Sequence, residues 1–498
     1  MVLHCKNYIH GKWMDSSSRV TLSRHNPADA DKLVSTVPAS TGKDVDEAVR
    51  AARVAFEQWK LVPAPKRADL LYKVARLMEE EKQAIAHFMC TEMGKVMTEC
   101  LGDVQEGIDI AYYFAGEGRR LYGQTMPSEL RNKHIRTVRE PVGVFTLITP
   151  WNFPVAIPCW KLFPALVAGN TVVFKPSNYV GGCATLLIQL FEKAGFPPGV
   201  VNLVHGSGES VGDALVMHQD VDAVSFTGST AVGRKIGEFC GRHLMKHSLE
   251  LGGKNVAIVM DDADIDLAVD GCVWGAFGTT GQRCTATSRI VVHAKIYDTF
   301  KHKFAARVKK LRLGSGLDKR SEVGPLLSAD QLLRVQKYMD DAKKSKLSIL
   351  CGGKRANAGD LKSGYFFEPT VIDNPPVKHP VCCEEIFGPV TVLIKAKNFE
   401  DAVEIANGVD YGLSAAIFTT NVVLAHRASE LLEAGIVYVN SATIGAEVQA
   451  PFGGIKNTGN GHREAGGMGG ALDTYTEMKV INVDFSGSLQ KAQGIDWK

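Results

Sequence analysis

Val142-Gly143-Val144-Phe145-Thr146-Leu147-Ile148 is the stretch on which the fold turns. It is a strand-length apolar run following Pro141, and it reads as a strand buried on both faces. The same theme then repeats with helical spacers. Asn170 to Lys175 reads as a strand, and Gly182 to Ala194 as a helix stopped by Gly195-Phe196-Pro197-Pro198-Gly199. Val200 to Val204 reads as a strand, Ser210 to His218 as a helix and Ala223 to Thr227 as a strand. Strands alternating with helices pair in parallel through crossovers, which implies a doubly wound sheet. A second series runs through Asn255 to Val259, Asp264 to Gly278, Ile290 to His293 and Tyr297 to Leu311, so two successive α/β units are expected. Upstream, three- and four-residue spacing of Ala, Val, Leu and Ile predicts helices over Asp44 to Trp59 and Arg67 to Cys90, with Thr41 placed to cap the first.

Composition agrees with this architecture. The chain has 498 residues, 45% hydrophobic and 22% charged, enough for several domains and incompatible with disorder or a fibrous repeat. Lys plus Arg is 57 against 54 for Asp plus Glu, a net +3, so the basic field of a nucleic-acid binder is absent. Glycine is abundant, 49 residues in all, which points to many tight turns or close backbone approaches. Met1 to Arg19 holds no secretory apolar region, and no apolar run approaches the ~18 residues of a membrane helix, so a cytoplasmic protein without a membrane partner is expected. Eleven cysteines is an odd number and far from a disulfide scaffold. The vicinal Cys382-Cys383 has no second pair at zinc spacing, so no metal is expected and most thiols should be buried apolar residues.

Several segments carry the residue types of a chemical site. Gly206-Ser207-Gly208-Glu209-Ser210-Val211-Gly212 nearly matches a dinucleotide fingerprint, with one residue too many before the third glycine. Phe226-Thr227-Gly228-Ser229-Thr230, followed by Gly233, again joins a strand to a helix, and it suits either an anion at the helix N-terminus or a plain Ser/Thr cap. In Gly281-Gln282-Arg283-Cys284-Thr285 a thiol stands beside a cation, an environment that favours the thiolate nucleophile, although no local histidine accompanies it. Glu250 lies between Leu249 and Leu251, and an apolar setting raises a carboxyl toward the general-base range. Asn152, between Pro150-Trp151 and Phe153-Pro154, is a rigid amide fit for an oxyanion hole or an Asx turn.

Six motifs stand in a fixed order: Phe174-Lys175-Pro176-Ser177, Phe226 to Thr230, Leu249 to Lys254, Gly281 to Cys284, Glu384-Glu385-Ile386-Phe387-Gly388-Pro389 and Pro451-Phe452-Gly453-Gly454. Together they resemble the aldehyde dehydrogenase superfamily over essentially the whole chain. The resemblance implies a dinucleotide-binding domain at 1–121 and 141–252, a catalytic domain at 253–460, and a small β oligomerisation arm at 122–140 and 479–498. It implies Cys284 as nucleophile, Glu250 as general base and Asn152 as oxyanion donor, with Lys161 and Glu464 in proton movement. Cofactor contacts fall on Thr149, Trp151, Lys175, Ser177, Asn178, Gly228, Ser229, Gly233, Glu385 and Phe387. Substrate contacts fall on Phe153, Trp160, Arg283, Thr285 and Phe452. The pyrophosphate is then expected at Gly228-Ser229 and not at the Gly206 near-fingerprint.

The implied reaction is NAD(P)-dependent oxidation of an aldehyde to an acid through a cysteine thioester. Relatives that pass the acyl group to coenzyme A characteristically lack the glutamate found here as Glu250, which weighs against acyl transfer to coenzyme A. A broad-range aldehyde dehydrogenase would carry the same six motifs, and a non-enzymatic protein could share the fold, since fold does not fix function. Pro150 to Lys161, Thr280 to Arg289 and Glu447 to Gly454 look most like bacterial and archaeal semialdehyde dehydrogenases, with 2,5-dioxopentanoate as the expected substrate and Arg283 and Arg289 as cations near the mouth. NAD-selective relatives commonly carry a glutamate three residues after the lysine of Lys175-Pro176-Ser177-Asn178. Asn178 stands there, so the expectation leans to NADP over NAD. A homodimer or homotetramer is expected.

Overall fold

The computed structural model describes residues 2–491. The run that opens the alternation is the strand Val144–Ile148, buried at every position. Around it lies a seven-stranded sheet in the order Lys246–Glu250, Ala223–Thr227, Val144–Ile148, Thr171–Lys175, Val201–Leu203, Asn7–Ile9 and Lys12–Met14. The first five are parallel, and counted in chain order they run 5-4-1-2-3 across the sheet. The chain therefore reverses direction between Val144–Ile148 and Ala223–Thr227. In open α/β sheets the crevice at such a switch, beyond the carboxyl ends of the strands, is where ligands bind. Here those ends are Ile148, leading into Thr149 to Asn152, and Thr227, leading into Gly228 and Ser229.

A second seven-stranded sheet follows, in the order Ser348–Cys351, Thr370–Asp373, Val390–Ala396, Thr287–His293, Asn255–Val259, Ser414–Phe418 and Ile436–Val439, parallel except for its first strand. A third, antiparallel sheet of Thr125–Met126, Lys133–Pro141 and Thr476–Asp484 stands apart from both. The expected arm segment 479–498 extends past the described residues, and 492–498 lies outside them. No helix among the described residues is long and apolar enough to cross a membrane.

Local chemistry accounts for most boundaries. Thr41 caps the helix Gly42–Trp59 through a capping box with Asp44, which satisfies backbone donors the helix leaves open. The predicted helix at Ser210 to His218 is instead a wide turn over Gly208–Gly212 and one short turn, Asp213–Val216. Gly206-Ser207-Gly208 thus fails to open a helix long enough to present a dipole. By contrast, Ser229 caps the 13-residue helix Thr230–Arg242. Eight of the eleven cysteines are buried and all are free.

Two helices that periodicity did not announce position the site. Met97–Glu117 is long, and Ala156–Ala168 is buried at all 13 positions, so it shows no polar face to read. Asp103 ties them together. One of its carboxylate oxygens accepts from the Ala156 N–H at 2.7 Å and the other from Lys95 Nζ at 2.7 Å, both side chains of the ion pair being fully buried. Replacing one member of a buried pair strands the other charge, which costs about 3–5 kcal/mol. Asp103→Ala should lower unfolding free energy by roughly that amount, whereas Asp69→Ala, at an exposed pair with Lys66, should change it by about 0–1 kcal/mol. Denaturant titration checks both; equal effects would show that Asp103 does not anchor the helix.

Candidate functional site

A pocket of ≈ 670 Å³, mouth included, opens at the switch point, with Trp151, Asn152, Gly228, Ser229, Cys284 and Phe387 among its lining residues. Both halves of the chain contribute. The first sheet delivers Trp151 and Asn152 from the turn after Val144–Ile148, and Gly228 and Ser229 from the turn after Ala223–Thr227. Cys284 arrives on the segment before Thr287–His293 of the second sheet, its carbonyl held by Asn255 Nδ2 at 2.7 Å. Gly253 makes that approach possible, since a Cβ there would lie 2.3 Å from the Cys284 carbonyl oxygen.

The nucleophile candidate is held on strained backbone. Thr279 and Thr280 both adopt left-handed φ, 52° and 58°, which β-branched residues rarely do. Hydrogen bonds compensate: the Thr279 N–H donates to Glu99 Oε1 at 2.7 Å, and Thr280 Oγ1 to the Gly324 carbonyl at 3.0 Å. Burial pushes the Cys284 thiol up to about 12, with the Glu385 and Glu250 carboxyls adding to it, while backbone N–H groups of Thr285 and Cys284 oppose the rise.

Glu250 ends the strand Lys246–Glu250, and neither carboxyl oxygen has a protein hydrogen-bond partner. Burial holds it well above the usual carboxylate range and Glu464 adds to this, while Lys161 and Arg463 oppose it. Gly453 leaves it room, as a Cβ there would lie 2.6 Å from Glu250 Oε1. Lys161, fully buried, is ion-paired to Glu464 and donates to Ser225 Oγ at 2.8 Å; Tyr475 donates to the same oxygen at 3.1 Å. Phe452 and Glu464 exchange two backbone hydrogen bonds, and Phe452 packs edge-on against Trp160 at 4.6 Å.

The fit of a dinucleotide rests on what is left open at the switch point. Thr149, Thr227 and Thr230 hydroxyls and Gln331 Oε1 are buried without partners. Lys175 Nζ, nearly enclosed, reaches only the Pro176 carbonyl at 3.1 Å, and desolvation lowers it to about 8. Glu385 Oε1 accepts from the Gly253 N–H at 2.9 Å. Phe387, at φ 61°, stands edge-on to Trp151 at 5.3 Å. Such a set of free hydroxyls, one cation and a capped helix N-terminus fits a ligand with hydroxyls and phosphates.

Some expected contacts take other places. Gly233 serves packing: a Cβ would meet Leu251 Cδ2 at 2.3 Å. Ser177 caps the turn Asn178–Val180, and Asn178 Oδ1 accepts from the Gly206 N–H at 3.2 Å. Thr285 is buried, its carbonyl accepting from Thr443. The expectation of Arg289 near the mouth is corrected. It is buried and its guanidinium clamps the carbonyls of Lys254, Ile405 and Ala406, backbone acceptors that its position in a central strand brings within reach. Arg283 is different. Its Nε donates to Thr279 Oγ1 at 2.9 Å and its NH2 to Glu99 at 3.2 Å, while NH1 takes no part in either contact. Phe153 sits between two cations, 3.5 Å from Lys95 Nζ and 5.1 Å from the Arg283 guanidinium carbon. Gln331, Arg334, Glu99, Lys95 and Asp103 escaped the sequence reading, because no spacing links them to the motifs they support.

Comparison with known proteins agrees with this geometry. The sequence signature described as the aldehyde dehydrogenase family matches residues 13–481. An alpha-ketoglutaric semialdehyde dehydrogenase of Bacillus subtilis is 43% identical, covering 96% of this chain and 97% of its own. A 2,5-dioxopentanoate dehydrogenase of Saccharolobus solfataricus is 40% identical, covering 94% and 97%. Among solved structures, betaine aldehyde dehydrogenase of Staphylococcus aureus in complex with NAD+ superimposes with a TM-score of 0.95 at 37% identity, covering 98% of this chain and 96% of that one. The chain belongs to the aldehyde dehydrogenase family.

Proposed function

We propose that this protein oxidises 2,5-dioxopentanoate to the dicarboxylic acid, with Cys284 as nucleophile, Asn152 as oxyanion donor and Glu250 as the base that releases the acyl group. The observation that carries this reading is the meeting of Cys284 and Asn152 in one switch-point pocket, with the unpartnered Glu250 carboxyl close enough to act on the thiol electrostatically. We assign cofactor binding to 1–121 and 141–252 and catalysis to 253–460, following the two large sheets.

In the proposed mechanism the Cys284 thiol releases its proton to solvent, the thiolate attacks the aldehyde carbon, and the alkoxide takes hydrogen bonds from the Asn152 amide and the Cys284 backbone N–H. The bound nicotinamide supplies the hydride acceptor. Phe387 would border the nicotinamide, the Gly228-Ser229 turn would hold the pyrophosphate, Lys175 and Glu385 would each bind one of the cofactor's two riboses, and Thr149 and Trp151 are assigned to the same cofactor. A thioester on Cys284 remains, and Glu250 takes a proton from the water that hydrolyses it. A carboxyl raised by burial is a strong base once ionised. Lys161, Glu464 and Ser225 form the buried polar chain we assign to passing that proton onward. Cys284→Ala should abolish oxidation. Glu250→Gln should keep a burst of reduced cofactor near one per active subunit and lose steady turnover. Because burial shifts the Glu250 carboxyl upward, its base form grows as pH rises through that raised pKa, so wild-type kcat should increase with pH over a window above the ordinary carboxylate range, and the variant's residual rate should lose that dependence. Stopped-flow absorbance of the reduced cofactor tests this; a missing burst in a variant that still binds cofactor would remove the role assigned to Glu250.

We assign the substrate's distal carboxylate to Arg283, whose NH1 is not engaged by Glu99 or Thr279. A charge-assisted contact contributes roughly 1.5–3 kcal/mol, or about 10- to 100-fold. Semialdehydes with a distal carboxylate should therefore exceed unbranched alkanals in kcat/KM by that factor, and Arg283→Ala should erase it. A flat aldehyde panel would overturn the assignment.

We read the cofactor preference as leaning to NADP. A glutamate at position 178 would face a 2′-phosphate with like charge, costing about 4 kcal/mol at 4 Å and an effective dielectric near 20 before salt reduces it. Asn178 carries no such charge, and Lys175 brings a positive one. Initial rates at equal cofactor concentrations should show NADP used at least as well as NAD, and Asn178→Glu should raise KM for NADP more than tenfold with little change for NAD. A hundredfold wild-type preference for NAD would defeat the reading. We also infer a homo-oligomer, a dimer or tetramer, built on the arm. Its edge strand Thr476–Asp484 exposes Met478, Val480 and Val483, an apolar edge that a second copy would cover, so light scattering should give a mass of two or four chains.

A further inference from the structure

The pairing of two strands leaves one buried hydroxyl that the proposed mechanism does not use. In the parallel register of Ala223–Thr227 with Lys246–Glu250, Ser225 stands opposite Ser248 and Thr227 opposite Glu250. Residues two apart in a strand point to one face, as do directly opposed residues, so these four share a side of the sheet. Val224, Phe226 and Leu249, which alternate with them, join the apolar cluster on the other side. The polar side is the one that Ala156–Ala168 covers, since Lys161 Nζ of that helix donates to Ser225 Oγ. Lys246–Glu250 is an edge strand, yet Ser248 is buried. The Asn460 side chain seals the edge, bonding the Leu249 N–H at 3.0 Å and the His247 carbonyl at 2.9 Å.

Around Ser248 several hydrogen-bonding groups remain open. Ser248 Oγ and both Glu250 carboxyl oxygens have no protein partner. Ser225 Oγ accepts from Lys161 and from Tyr475, which leaves its own O–H to donate. Lys161 Nζ binds Ser225 and Glu464 together, so the Glu464 carboxylate stands within two hydrogen-bond lengths of Ser225. A buried hydroxyl without a partner destabilises a fold, and alanine would fill the same space without that cost. The backbone positions of Ser248 and Ser225 lie about 5 Å apart across the strands, and those of Ser248 and Glu250 about 7 Å along one. A water with hydrogen bonds of roughly 2.8 Å bridges such spans. We propose that Ser248 holds an ordered water between Glu250 and the Lys161–Glu464 pair, and that this water carries away the proton Glu250 collects during thioester hydrolysis. This rests on the reading of Glu250 given above. Buried waters make about three hydrogen bonds, and here Ser248 Oγ, the Ser225 O–H and the Glu250 carboxyl supply them. Glu250 releases its proton to the water, and the water gives one of its own to the Glu464 carboxylate. Glu250 is then ionised again, the water is restored, and Glu464 holds the proton beside Lys161. Ser248 acts through the water and is a positioning residue.

The test separates acylation of Cys284 from loss of the acyl group. Stopped-flow absorbance of the reduced cofactor reads the first, and acid quench followed by the intact mass of the enzyme reads the second. Ser248→Ala should keep the burst of reduced cofactor at the wild-type rate and lose the acyl group about tenfold more slowly, the worth of one hydrogen bond. It should melt no lower than wild type, because the hydroxyl removed has no protein partner. Ser248→Thr, which keeps the hydroxyl on a strand that favours β-branched residues, should restore the rate. Deacylation of Ser248→Ala at the wild-type rate overturns the proposal. So does a burst slowed along with it, or a lowered melting temperature, since either makes the hydroxyl structural. Glu250→Gln that deacylates as fast as wild type would instead sink the reading of Glu250, and the proposal with it. Slow Glu250→Gln beside fast Ser248→Ala removes the water path alone.

Discussion

The strand Val144–Ile148 has neighbours on both sides that carry the chain away in opposite directions, and the rest of the site follows from that reversal. A parallel sheet that kept adding strands on one edge would have no crevice. Because the order turns at this strand, the loops after Ile148 and Thr227 diverge and leave a gap lined by backbone and short side chains. The second sheet then needs only to deliver one segment, Thr279 to Ala286, across the mouth of that gap. Asp103 fixes one wall by pinning the N-terminus of Ala156–Ala168, and Gly253 and Gly453 remove the Cβ atoms that would keep the second wall away.

Closing the gap desolvates every ionisable group in it, and the protein deals with each differently. Lys95 and Asp103 neutralise one another, as do Lys161 and Glu464. Glu250 and Lys175 have no such partner, and their ionisation equilibria are displaced toward the neutral forms. An interior of low dielectric magnifies either choice. A buried pair keeps both charges at the expense of desolvation, whereas an unpaired group keeps its proton or loses it to stay neutral.

Much of this was legible in the chain. The strands Ala223–Thr227 and Asn255–Val259 fall where alternation places them, because strands buried on both faces show themselves as unbroken apolar runs. Ala156–Ala168 stayed hidden for the same reason inverted: a helix buried all round has no periodic face. At the site, motifs of adjacent residues were visible and partnerships across the fold were not. Nothing in Arg289 distinguishes it from Arg283 in sequence, since both are cations near Cys284. Only the sheet decides that one faces three backbone carbonyls and the other an aromatic ring and a carboxylate. The near-fingerprint at Gly206 is followed by a helix of a single turn, Asp213–Val216, whereas the turn at Ser229 opens a 13-residue helix.

Two adjacent threonines in left-handed conformation have a consequence for how such a protein can change over generations. Each position costs of order 1–3 kcal/mol relative to relaxed backbone. Glycine or asparagine at Thr279 or Thr280 would relieve that strain, so substitutions that lengthen the protein's life at high temperature are available in the very turn that leads to Cys284. The same substitutions would loosen the segment that aims the sulfur. Relief of backbone strain and a fixed position for the Cys284 sulfur therefore pull in opposite directions at these two residues.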